Sequence, residues 1–591
     1  MILTSLHQLY DRLADDPAYE IAQPGYSPQR ISFRVLIHPD GTLFKIQDAR
    51  IKDEKGKPHA ESQIVIGKGK SAGPGINPGF LWENTTYMLG YKQDDPKPDR
   101  TQKSFEAFRD KHLALEQKIN LPDFSSVCRF LESWSPEKSS EYAEAHSDIN
   151  DLTTGFGIFQ IHTPGKIKPV NEHPEILKWW GNQLGQSTGD NGQCLITGEQ
   201  SPIARLHPKI KSVAGAQSAG ASIVSFNASA YESYGKDQSF NAPVSETAAF
   251  KYGTALNSLL SGPRSSRHRI RIGDATCVYW TEKPSPIVEE ALPFFFSNGS
   301  NAPEESQDSA QRSKIETFLK SLRQGTDVLE DAGEDTQSNH FYILGLAPNA
   351  ARLSIRFFYQ STLKEFISNL RSHHRDIGII REWESPKGNR LPDPEYPANW
   401  QLLRETARVS DEIPPLLGGA LIRSILENTK YPEGLYSAVI RRIRADRTIN
   451  YIRTSIIKGI LTRNHNQTIP IMLDTKNTDS AYLLGRLFAT LEKTQKDALG
   501  DLNSGLRDKF YSSASATPAS VFPRILRTYQ HHLAKLEGGH KINRERLLQN
   551  IMNDLTGFPS HLNLQAQGLF AIGYYHQNKD FYTKKETTVK A

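Results

Sequence analysis

The hydrophobic period of the sequence changes once, near residues 395–405. That change restricts the chain to a mixed α/β part followed by a helical one. Upstream, apolar residues come in short runs. ISFRVLI (31–37) and TLFKIQDARI (42–51) flank Pro39-Asp40-Gly41, a hairpin signal in which glycine supplies positive φ, and QIVIG (63–67) follows as a third strand. Helical patterning over 101–133 gives way to strand-like character over 151–163, and then to TCVYWT (276–281), FYILGL (341–346) and ARLSIRFF (351–358). Beyond the proline-rich SPKGNRLPDPEYP, the segment AYLLGRLFATLEK (481–493) places Leu483, Leu484, Leu487, Phe488 and Leu491 on one stripe, as a bundle helix requires. The expected fold is α+β. Residues 1–400 form a mixed region of antiparallel strands and helices, and residues 401–591 form an all-α helical bundle. A chain of 591 residues exceeds what one core usually serves, in keeping with that division.

Two stretches resist regular structure. GKGKSAGPGINPG (67–79) is too rich in glycine and proline for helix or ladder and reads as a basic, flexible loop. SNGSNAPEESQDSAQRS (297–313) is polar and reads as a disordered surface insertion. Cys128, Cys194 and Cys277 are far apart and form no CxxC or Cys/His cluster, which excludes a disulfide framework and a structural zinc site and fits a reducing cytoplasm. No apolar stretch approaches the roughly 18–20 residues of a membrane span, so a soluble protein is expected.

Several catalytic motifs are nearly present and fail on inspection. Gly69-Lys70-Ser71 suggests a Walker A loop, but that template needs glycine at position 64, where Ile64 stands. AQSAG (216–220) has Ala216 where a nucleophile elbow has glycine, and Ser233-Tyr234-Gly235-Lys236 spells S-x-x-K without a K-T-G partner. A serine hydrolase using Ser218 or Ser233 is therefore a weaker alternative, and a purely structural scaffold subunit is the other. HHRD (373–376) is contiguous on a helix and lacks the partner cluster of a metal site, and no cofactor is expected.

The same residues suit nucleic acid better. Residues 215–246 contain no leucine but many hydroxyls and amides, with Phe and Tyr interleaved. Single-stranded or distorted nucleic acid needs such groups for phosphates and base edges, and aromatic faces for stacking. Gln217, Ser218, Ser222, Asn227, Tyr231, Tyr234, Lys236 and Asn241 are the candidates here, and Lys68, Lys70 and Asn77 are those of the basic loop. The alternative is a well-packed loop with internally satisfied polar groups. In SSRHRIRIG (265–273) a strand would align Arg267, Arg269 and Arg271 on one face, and Arg352 and Arg356 share a face of ARLSIRFF; both sets are candidates to track a DNA backbone. Residues 441–463 hold seven Lys or Arg against one Asp and read as a basic helix, with Arg441, Arg442, Arg444 and Arg447 along a phosphate backbone. The net charge of +5 is too mild to decide the matter, so any basic surface is local.

Three ordered blocks then carry a resemblance. Cys194-Leu-Ile-Thr-Gly-Glu199 with Pro202-Ile-Ala-Arg-Leu-His-Pro208 and the 215–246 run, LAPNAARLSIRFF (346–358), and INPGFLWENTTYMLG (76–90) closely resemble the large subunit of the type I-C CRISPR surveillance complex (Cascade). Departures are small: Ala219 replaces a second serine, Ser212 a usual glycine, and Glu83 a common aspartate before Asn84. The resemblance implies a non-catalytic subunit that recognises a short protospacer-adjacent motif of TTC type in duplex DNA, helps open the duplex and holds the displaced strand. CRISPR RNA, backbone subunits and a separate helicase-nuclease are the implied partners. An internal start at Met472 would release residues 472–591 as a free small subunit.

Overall fold

The computed structural model describes residues 1–52, 56–67, 69, 75–152, 155–184, 190–272, 275–296, 317, 335–384, 392–395, 397–500 and 503–583. Lys68, Lys70 and the insertion expected at 297–313 lie outside the described residues. The chain divides into two compact units, the first made of residues 1–212, 216–263 and 350–352, the second of residues 213–215, 264–349 and 353–591. The change of period near residue 400 falls inside the second unit.

The first unit is built on a six-stranded sheet. Strand Tyr26–Ile37 pairs antiparallel with Leu43–Asp48 at its C-terminal half and with Glu61–Ile66 at its N-terminal half. The expected hairpin is present, with Gly41 at φ 92°. The other edge of Tyr26–Ile37 pairs in parallel with Phe156–Thr163, a partner that no local signal announces. Because side chains alternate along a strand, Phe33, Val35, Ile37, Phe159 and Ile161 share one face and are buried. They meet Phe105 and Phe108 of helix Pro98–Ile119 and Phe124, Val127 and Leu131 of helix Pro122–Ser133. Each such side chain contributes about 1.5–3 kcal/mol through burial. The N-terminal helix Ile2–Ala14 buries Leu6, Leu9, Tyr10 and Leu13 and packs on helix Glu246–Ser261.

The second unit contains a four-stranded sheet, ordered Arg269–Ile272, Ala275–Thr281, His340–Asn349, Arg352–Thr362 along the hydrogen-bonded path. Every residue of Ala275–Thr281 is buried. The elements after Thr362 are helical among the described residues, which completes the α+β architecture. One hydrophobic core runs from Ile270 and Tyr279 of the sheet to Phe488 and Tyr574 of the last helices.

Helix Ser480–Leu499 is not the one-sided stripe that its leucines predict. All residues from Ala481 to Leu491 are buried, because helices Pro518–Leu533, Gly538–Asn553 and Leu564–Asp580 pack around it. Its closest approach is to Leu564–Asp580. A Cβ at Gly485 would lie 2.0 Å from the Phe570 carbonyl oxygen, and one at Gly573 would lie 2.2 Å from that of Tyr482. Only glycine permits backbones this close.

The basic helix expected over 441–463 is two helices, Glu433–Asp446 and Tyr451–His465, broken where Arg447 turns to φ 56°. Several of its cations are internal. Arg453 is buried between Glu405 and Asp446, with 2.6 Å contacts to each, and Lys458 is buried, donating to the Arg375 and Asp376 carbonyls. Arg463 pairs with Asp376 at 2.7 Å. HHRD lies on helix Leu363–Ile377, where buried His373 contacts the Tyr431 hydroxyl at 2.7 Å. No helix among the described residues is long and apolar enough to cross a membrane.

Candidate nucleic-acid interface

The 215–246 run rests on a ledge that the neighbouring sequence builds. Residues Lys209–Lys211 are clamped by Asn257 of helix Glu246–Ser261: Asn257 Nδ2 donates to Lys209 O at 3.0 Å, and its Oδ1 accepts the Lys211 N–H at 2.8 Å. Ile210 and Ala221 then exchange backbone hydrogen bonds at 2.9 Å. Gly220, at φ 91°, lets the chain return close to Lys209 and Lys211, both exposed. Ser212 opens the loop at φ 62°, a left-handed conformation that favours glycine. That accounts for serine being the odd residue at this place in the resemblance. Gln217 and Ser218 stand exposed on the loop, whose tip closes through Gly220 N–H to Gln217 O at 2.9 Å.

Next along the run, Ser222 is buried rather than presented. Its hydroxyl accepts from Lys209 Nζ at 2.9 Å and its N–H donates to Ala351 O at 3.1 Å. This bridge brings Arg352, distant in sequence, over Asn227 and Tyr231. The guanidinium lies 4.6 Å from the Tyr231 ring centroid, donates through Nη1 to Tyr231 Oη at 3.2 Å, and donates through Nη2 to Asn227 Oδ1. Three expected contact residues are thus one cluster.

The S-x-x-K segment is a tight turn. Lys236 N–H donates to Ser233 O at 3.0 Å, with Tyr234 at φ 54° and Gly235 at φ 67° between them. Two consecutive positive φ angles match the type I′ geometry that prefers Asn-Gly, and holding tyrosine there costs about 1–2 kcal/mol. Asn241 braces the turn: Oδ1 accepts the Ser233 N–H at 2.9 Å, and Nδ2 donates to Lys236 O at 2.6 Å and Gln238 O at 3.0 Å. Asn241 is therefore a support whose side chain is committed to the protein. The Tyr234 side chain is 98% exposed at the apex, beside exposed Lys236. Among the described residues no hydrogen bond joins the Ser218 or Ser233 hydroxyl to a His or Lys side chain.

The far end of the run is fastened by the Cys194 block. The Cys194 thiol is buried and accepts the N–H groups of Ile196 at 3.4 Å and Ser245 at 3.3 Å, while Leu195 N–H reaches Pro243 O. Burial opposes its ionisation, but hydrogen bonds from Ser245 and Thr197 outweigh it and draw the thiol down to about 7.

Asn77 lies in the first unit on a separate, firmly held segment. Its N–H meets Tyr87 Oη at 3.3 Å, Gly79 N–H donates to buried Glu83 at 3.1 Å, and Leu81, at φ 61°, donates to His112 Nε2 at 3.0 Å. Burial lowers His112 to about 4, so the ring is neutral and can accept.

The remaining arginines belong to the second unit. Only Arg269 and Arg271 share the strand face expected of three, because the strand is Arg269–Ile272. Arg267 sits in the preceding 3₁₀ turn and pairs with Glu290 at 2.6 Å. Arg356 is exposed on Arg352–Thr362. Arg441, Arg444 and Arg447 are exposed, whereas Arg442 pairs with Asp446 at 2.6 Å.

Sequence reasoning missed Lys209, Lys211 and Asn257. The alternation Lys209-Ile210-Lys211 is a readable strand signal; the Asn257 clamp has none. No curated protein matches the chain. A family model described as CRISPR-associated protein (Cas_Csd1) matches residues 6–582, and the chain belongs to that family.

Proposed function

We infer that the chain is the non-catalytic large subunit of a type I-C CRISPR surveillance complex. In this role it reads a short motif beside the target, aids duplex opening and R-loop formation, and holds the displaced strand. The observation that carries this reading is the leucine-free run, which presents Gln217, Ser218 and the Tyr234 ring to solvent above a ledge of exposed lysines. Unpaired bases need such an aromatic face, and phosphates need such cations. Family membership supports a place among CRISPR RNA and other subunits of a defence complex. The guide RNA supplies most of the sequence specificity, which leaves the protein a short motif and the shape of the duplex, as in RNA-guided effectors of another type. Lys68, Lys70 and Asn77 belong to the motif side in this reading, and Arg267, Arg269, Arg271, Arg352, Arg356, Arg441, Arg442, Arg444 and Arg447 to backbones.

In the same reading a separate helicase-nuclease joins the complex in the cytoplasm. A free copy of residues 472–591 serves as small subunit. Met472 is 60% exposed in the link between helices Tyr451–His465 and Ser480–Leu499. Met472→Leu should remove a short co-purifying product.

The test is target binding by the assembled complex on duplexes differing only in the base pairs beside the protospacer, at fixed salt. Affinity should change by about 1–3 kcal/mol per motif base pair. Affinity indifferent to those pairs would remove the motif-reading role. Lys70→Ala should lower the salt slope by about one unit if that lysine meets a phosphate.

A further inference from the structure

The Arg352 cluster is more ordered than a phosphate contact requires. A phosphate accepts the point charge of a lysine as well as an arginine fork, so a phosphate contact does not require the plane to be fixed in advance. Arg352 instead has its plane fixed by the Tyr231 ring, by Tyr231 Oη and by Asn227 Oδ1, while the Ser222–Ala351 hydrogen bond fixes its backbone. Tyr231 is 45% exposed and Asn227 is exposed, so the cluster lies at the surface.

A guanidinium has five N–H donors. Two are used here, and the others make no hydrogen bond among the described residues. A planar pair of donors held in one orientation matches the paired acceptors O6 and N7 of guanine, the commonest specific arginine contact in DNA. Locking the side chain beforehand removes an ordering cost from binding. Lys209, with its Nζ on Ser222, adds positive charge without competing for the base edge.

We propose that Arg352 reads a guanine of the motif through O6 and N7, with Asn227 and Tyr231 as positioning residues. This rests on the motif-reading role inferred above. It moves Arg352 from the backbone-tracking group to the base-reading group.

The experiment measures binding of the assembled complex to duplexes in which each motif base pair is exchanged in turn, and to duplexes with 7-deazaguanine at each motif guanine. Unaltered protein should lose about tenfold or more in affinity at one guanine, both on exchange and on the 7-deaza replacement. Arg352→Lys keeps the charge; it should bring that discrimination within about threefold while leaving the salt slope unchanged.

Unaltered protein that discriminates motif pairs but ignores 7-deazaguanine at every motif guanine overturns the proposal without recourse to a variant. So does Arg352→Lys binding that weakens equally on all duplexes, the sign of a merely bracing side chain. So does Arg352→Ala that lowers the salt slope by about one with base preference intact, the sign of a phosphate contact. Indifference of the unaltered protein to every motif pair is a different failure, that of the motif-reading role itself.

Discussion

Helix Ser480–Leu499 and the 215–246 run use their side chains in opposite ways. In the helix, Leu483, Leu484, Leu487 and Phe488 are fully buried, and glycine at 485 admits the backbone of a neighbouring helix. In the run, Gln217, Ser218, Asn227, Tyr234 and Lys236 are exposed, and the polar atoms turned inward, such as those of Asn241, are satisfied by the loop's own backbone. Volume decides which residues the helix accepts. Hydrogen bonding decides the shape of the run, and its outward side chains are left for contact with something else. Substitutions in the helix should therefore register as lost stability, and outward substitutions in the run as lost binding.

The largest expected effect is in the helix. Gly485→Ala sets a methyl against the Phe570 carbonyl, and should cost at least about 3 kcal/mol in chemical denaturation. A loss under 1 kcal/mol would mean that the two helices separate at little cost, and the contrast with the run would weaken.

Acid comes next. Burial lowers His112 in the first unit and His576 in the second to about 4. Both rings fold neutral, so their contribution is complete above the unfolded value near 6.5 and is lost as pH falls from there towards 4. Each should cost about 2 kcal/mol at pH 5. Denaturation midpoints at pH 7 and pH 5 measure this, and equal midpoints would contradict it. The 215–246 run contains no histidine, so target affinity should hold until unfolding begins.

In the run, Tyr234→Asn preserves a left-handed turn and removes the ring. Binding to a target with unpaired bases should weaken by about 1–2 kcal/mol, while stability holds or rises by up to about 1 kcal/mol as the left-handed strain at tyrosine is relieved. A stability loss larger than the binding loss would make Tyr234 a packing residue. Smallest of all, Ser212→Gly relieves a left-handed serine and should stabilise the protein by up to about 1 kcal/mol, as read from the denaturation midpoint.

Local features were legible in the sequence, and long-range ones were not. Pro39-Asp40-Gly41 announced its hairpin because glycine at that turn is a local requirement. The parallel pairing of Tyr26–Ile37 with Phe156–Thr163 has no local cause and left no trace. The leucine stripe of 481–493 identified a helix but not its burial on all sides, since Arg486, buried and hydrogen-bonded to Gln577 at 3.1 Å, looks like a solvent residue in sequence. The candidate interface divides in the same way. Its residue types were readable from composition, and the near-match to S-x-x-K hid a Tyr-Gly turn that positive φ explains. The pairing of Arg352 with Asn227 and Tyr231 depends on tertiary structure alone.

If the leucine-free run is the nucleic-acid face of this subunit, target binding must shield it from solvent. Amide hydrogen exchange of the assembled complex, with and without a target duplex carrying the motif, measures this shielding directly. Peptides from 215–246 should gain protection on target binding, and the core of helix Ser480–Leu499 should not change. Identical exchange across 215–246 in the two states would contradict that role for the run.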